Sequence, residues 1–102
     1  MIVTGEMPVD FKDLDLTFKD KPYTCSGTVW IEYEARRSST SILWEIEWFI
    51  NEFSEVESCD EDGTVELKDN DEAFIKSLRT MVAYHRADEI NTAVKMEVED
   101  WA

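Results

Sequence analysis

ILWEIEWFINEFSEVES, residues Ile42–Ser58, holds two of the four tryptophans and five glutamates, and its conformation constrains everything around it. As a strand it places Ile42, Trp44, Ile46, Trp48 and Ile50 on one face, with Glu45 and Glu47 opposite. As a helix it gives a stripe of Ile42, Ile46, Phe49, Phe53 and Val56. The helix, however, turns Trp44 and Trp48 into the polar arc and forfeits roughly 1.5–3 kcal/mol for each indole. The strand is therefore preferred for Ile42–Ile50. The even-numbered apolar run stops at Ile50, which predicts a bend or bulge near Asn51 and Glu52. A helix here would give the order ββαβαβ, still α+β.

Upstream, TVWIEYEAR (Thr28–Arg36) alternates in the same way. Val29, Ile31, Tyr33 and Ala35 take one face; Trp30, Glu32 and Glu34 take the other. Joining the two strands through a short loop, Arg37 to Thr40, pairs Ala35 with Ile42, Tyr33 with Trp44, Ile31 with Ile46 and Val29 with Trp48. That register sets Glu32 opposite Glu45 and Trp30 opposite Glu47, a like-charge contact that ladder stability disfavours. Gly27 marks a bulge ahead of the strand. Leu14, Leu16 and Phe18 define an earlier strand, and Lys19-Asp20-Lys21-Pro22 turns the chain between the two. The residues through Pro8 read as an edge strand or an arm.

Downstream, Cys59-Asp60-Glu61-Asp62-Gly63 is an acidic turn into a short strand, Thr64 to Lys68. Asp69 and Glu72 resemble a capping box for a helix over Asp71–Arg86. Its apolar arc is Phe74, Ile75, Leu78, Met81, Val82 and His85, flanked by Lys76, Arg79 and Arg86. Thr92 to Glu99 (TAVKMEVE) alternates Val94, Met96 and Val98 with charged residues and reads as a last strand, with Trp101 closing the core edge. The expected architecture is a single α+β domain: a mainly antiparallel sheet of about five strands with one helix on its apolar face.

At 102 residues the chain can bury a modest core, and 43% hydrophobic residues separate it from disordered acidic tails. Its net charge of −14 repels nucleic acid and anionic membrane and attracts basic proteins or cations. Between Glu45 and Glu72 stand twelve acids and one base, Lys68. Acid-x-acid pairs recur at Asp13/Asp15, Glu32/Glu34, Glu45/Glu47, Glu55/Glu57 and Glu97/Glu99. On strands each pair shares a face, about 6.8 Å apart, twice the roughly 3.4 Å axial phosphate spacing of a DNA strand. Trp30 among such carboxylates suits an interface for arginine and lysine, or covers a small second core.

Ser58 to Asp69 resembles an EF-hand calcium loop, with Asp60, Asp62, Gly63, Thr64 and Glu66 at matching positions. Ser58 and Asp69 depart from it at the two ends, so an acidic hairpin turn is the default and no metal or cofactor is expected. Catalysis has little support. His85, the only histidine, sits within the apolar arc and reads as structural, and neither Cys25 nor Cys59 has a basic cluster to activate it. Two reduced cysteines, no basic leader at the N-terminus and no long apolar run are the pattern of a cytoplasmic protein.

The expectation is a small, acidic, non-enzymatic inhibitor of a basic partner, a nuclease or other nucleic-acid-binding protein, acting through protein–protein contact. The setting is either a phage protein that mimics DNA or an immunity protein for a nuclease toxin. The determinants are placed at Trp30, Glu32, Glu34, Glu45, Glu47, Glu55, Glu57, Asp60, Glu61 and Asp62. A weak calcium-binding or structural accessory module is the alternative. Oligomeric state is left open.

Overall fold

The computed structural model describes residues 1–101, the last of them by its backbone alone. Four antiparallel strands lie in chain order in one sheet: β1 (Ile2–Phe18), β2 (Lys21–Arg36), β3 (Glu45–Cys59) and β4 (Val65–Leu67). Two helices follow, α1 (Glu72–His85) and α2 (Ala87–Trp101), both packed against β1 and β3. The α+β class and antiparallel sheet agree with the sequence; the element count does not.

The N-terminal arm and first strand are one continuous 17-residue β1. It joins β2 through a two-residue turn at Lys19 and Asp20, both with positive φ (50° and 62°), the left-handed pair that matches strand twist. Between β2 and β3 the loop is twice as long as expected, residues 37–44, and Ile42 is 89% exposed instead of paired. The observed partners are Ala35 with Ile46, Tyr33 with Trp48, Ile31 with Ile50 and Val29 with Phe53. Up to Ile50 the strand has slipped by four residues, an even number, so Ile46, Trp48 and Ile50 keep their face while Ile42 and Trp44 fall in the loop. The contacts opposite each glutamate all change.

Three bulges keep the long strands amphipathic. In β1 the extra residue lies between Phe11 and Leu14, and Asp13 there has φ 52°. In β3 Asn51 is the extra residue where the bend was expected, and it returns Phe53 to the inner face. A second β3 bulge sets Glu55 and Val56 opposite Gly27, as Gly27 foretold. A Cβ on Gly27 would come within 3.1 Å of the Glu55 carbonyl oxygen and Val56 Cα, so a side chain there would push the bulged backbone away, and glycine suits the close approach. The bulge is held by Asp69, whose carboxylate accepts from the backbone N–H of Val56 at 2.7 Å and of Glu55 at 3.1 Å. Asp69 therefore does not cap the helix. That role falls to Asp71, which accepts from the Phe74 N–H at 3.1 Å.

The buried core takes Phe11, Leu14, Leu16, Cys25, Val29, Ile31, Tyr33, Ala35, Ile50 and Val56 from the sheet. Phe74, Leu78 and Val82 of α1 and Ile90, Val94 and Val98 of α2 close it. Phe74 meets Phe18 and Tyr23 edge-on, with ring centroids 5.2 and 5.5 Å away.

The predicted C-terminal strand is instead α2. Val94 and Val98 fit either period, but Met96, which a strand would bury beside them, is 63% exposed, while Ile90 is buried at the helical spacing. The spacing of four runs unbroken through Phe74, Leu78, Val82, Arg86, Ile90, Val94 and Val98, with the chain bending at Arg86. Asp88 and Glu89 in the first turn of α2 favour its positive end. His85 is exposed against Tyr84, not part of the buried arc. The Trp101 side chain lies outside the described residues.

Candidate functional site

Because the helices cover one face of the sheet, the other faces solvent, and the register fixes its rows. The row Ile2–Arg36–Glu45 lies at one end, followed by Thr4–Glu34–Glu47, then Glu6–Glu32–Phe49, then Pro8–Trp30–Glu52. Rows are about 6.8 Å apart and strands about 4.8 Å. In β1 and β3 these residues are exposed; in β2, flanked on both sides, Trp30, Glu32 and Glu34 are half-buried.

Side-chain hydrogen bonds cross-link the far half of this face. Thr28 donates to Asp10 at 2.8 Å, Thr24 to Asp15 at 3.3 Å, and the Trp30 indole N–H to Ser54 at 3.2 Å. The near half has glutamates where those hydroxyls would be. Glu34 lies directly opposite Glu47, and Glu6 opposite Glu32. The one cation among these rows is Arg36, bonded to Glu34 at 2.8 Å, and that bond raises the guanidinium pKa further. A depression here is lined by Thr4, Glu6, Glu32, Glu34, Glu47 and Phe49, with Gly5, Tyr33, Ile46 and Trp48.

Four of the predicted determinants, Glu32, Glu34, Glu45 and Glu47, fall in this near half, but the Glu32–Glu45 contact is replaced by Glu34–Glu47. Trp30 lies in the next row, opposite Pro8, with its N–H engaged. Glu57 faces Ser26 towards the other end of the sheet, and Glu55 sits in the bulge with φ 54°. Asp60, Glu61 and Asp62 lie beyond the end of β3, roughly 40 Å along the strand from Glu47. The acidic pair Glu97/Glu99 belongs to α2. The sequence reading missed Glu6 and Phe49. Phe49 is 58% exposed beside Glu32 and follows Glu47 on the same strand face, an aromatic whose parity with Glu45 and Glu47 was visible in the sequence.

The calcium-loop resemblance dissolves in the fold. The segment enters from β3, not from a helix, and contains β4, and Asp60 Oδ1 accepts from the N–H groups of Asp62 (3.0 Å) and Thr64 (2.9 Å), closing the turn between the two strands. Glu66 pairs with Lys68 at 2.7 Å and raises its pKa, while Asp69 serves the bulge. Among the described residues no three acidic, cysteine or histidine side chains converge to hold a metal ion.

The arginines of the helical layer act on the sheet edges. Met1 and Arg37 exchange backbone bonds, at 2.9 and 3.0 Å. By alternation, even residues of β1 and Ile46, Trp48 and Ile50 of β3 direct their backbone groups outward. Arg79 caps the Ile50 and Asn51 carbonyls at 3.0 and 3.2 Å, and Arg86 caps Lys12 at 3.1 Å. Pro8 places its missing N–H on the open β1 edge. These cations protect edges; they do not neutralise the acidic face.

Comparison with family models, curated proteins and solved structures finds no match for the chain. No helix among the described residues is long and apolar enough to cross a membrane.

Proposed function

We propose that this chain is a small non-enzymatic inhibitor that lays its open sheet face against the cationic groove of a nucleic-acid-handling protein. One observation carries the reading: a whole sheet face is left uncovered, and in its near half glutamates oppose glutamates across the strands. Like charges directly opposite destabilise a ladder, so the arrangement costs stability that a basic partner would return. The elongated shape, 55 × 20 × 19 Å, suits a groove made for a duplex, whose turn is about 34 Å. Either setting, a DNA-mimicking phage inhibitor or a nuclease immunity protein, would use such a face in the cytoplasm of a cell.

The test is capture of partners from host lysate at low and high salt, with the Glu34→Lys/Glu47→Lys double variant alongside. A basic nucleic-acid-binding protein should be retained at low salt and released as salt rises, and the double variant should lose it without loss of fold. Recovery of no basic protein, or of one indifferent to salt and to charge reversal, would sink the proposal.

A further inference from the structure

Within the acidic face, the Phe49 ring is the one large aromatic side chain more than half exposed. Glu32 stands directly across from it and Glu47 precedes it on the same side of β3. Their neighbours are already engaged: Glu34 holds Arg36, Glu6 accepts from the Asn51 amide at 3.3 Å, and Trp30 is bonded to Ser54. Neither Glu32 nor Glu47 is in direct ion-pair contact with a cation among the described residues, Arg36 reaching Glu47 only by longer-range attraction, and Glu32 is half-buried.

We infer that Phe49, Glu32 and Glu47 form a socket for an arginine of the basic partner, selecting arginine over lysine. The inference rests on the acidic-face reading and deepens it. A guanidinium is planar, so it can lie on a ring while its in-plane N–H groups reach carboxylates at the ring's margin. A lysine ammonium is a strongly hydrated point charge that gains less from the ring. A second copy of this chain would bring another −14 charge onto the face, so the occupant is a cationic protein.

The experiment is calorimetric titration of octa-arginine and octa-lysine into the full chain at one moderate salt concentration. The unaltered protein should bind octa-arginine about tenfold tighter, near the upper range of a partly desolvated cation–π contact. Phe49→Ser, and Phe49→Leu with its apolar area kept but no π face, should reduce the ratio below about twofold and leave octa-lysine binding nearly unchanged. Unchanged melting temperatures confirm that the fold is intact in both variants. Equal affinities in the unaltered protein, or a preference that survives both variants, overturn the socket but not the acidic face. Failure of both peptides to bind overturns the acidic-face reading and the socket with it.

Discussion

The two faces of this sheet share one backbone and one set of bulges, yet differ in almost every physical respect. Inward, Val29, Ile31, Ala35 and Val56 are buried under two helices, with Val3, Met7, Val9, Ile46, Trp48 and Phe53 packed half-buried around them. Outward, carboxylates meet carboxylates and the aromatic Phe49 stands in solvent. The inner face provides the stability that lets the outer face be poorly matched to itself. A sheet with both faces mixed in the ordinary way would be more stable and would have less to offer a cationic partner.

That contrast can be broken hardest from the inside. Phe74→Ala removes the ring wedged between Phe18 and Tyr23 and should cost about 3–5 kcal/mol in urea unfolding, enough to threaten the fold. A loss below about 1 kcal/mol would mean the helical layer is not the inner face's anchor.

Next in size is a pH effect specific to the buried side. Burial pushes the Cys25 thiol up to about 11 from 9.0, with Asp15 adding to the rise and Lys68 opposing it. The folded state holds that proton where the unfolded chain releases it. Its contribution is therefore complete below pH 9 and is lost as pH rises from 9 to about 11. Denaturation across that window should show a decline of about 2–3 kcal/mol that Cys25→Ala lacks, against a parallel fall common to both.

The smallest effect comes from the outer face and has the opposite sign. Glu47→Gln relieves the contact with Glu34 and should raise stability by about 0.2–1 kcal/mol at low salt, with the gain shrinking as salt is added. The same variant should bind octa-arginine more weakly. A variant less stable than the parent would show that the glutamate ladder is not strained.

Much of this was legible in the chain. Period-two alternation in Thr28–Arg36 gave the inner and outer faces of β2, and Gly27 and the end of the even run at Ile50 pointed to two of the three bulges. The face of Glu32, Glu34, Glu45 and Glu47 followed from parity alone. The β2–β3 register did not, because a slip of four residues preserves parity, and local pattern cannot separate registers that differ by an even number. What distinguished them was the loop at 37–44, which lacks a strong two-residue turn and leaves Ile42 and Leu43 exposed. The C-terminal segment misled for a related reason. Val94, Met96 and Val98 satisfy a strand, while the helical spacing back to Ile90 and Phe74 shows only over a longer window.

The sequence by itself determined the class of the domain, the identity of the acidic face and its sign, since charge and alternation are local properties of the chain. Tertiary structure decided which glutamates oppose one another, which aromatic stands among them, and that a second helix, not a fifth strand, closes the core. Those are consequences of long-range pairing and packing: Phe49 meets Glu32 only because the sheet aligns 32 with 49, and Val98 is buried only because the sheet lies beneath it.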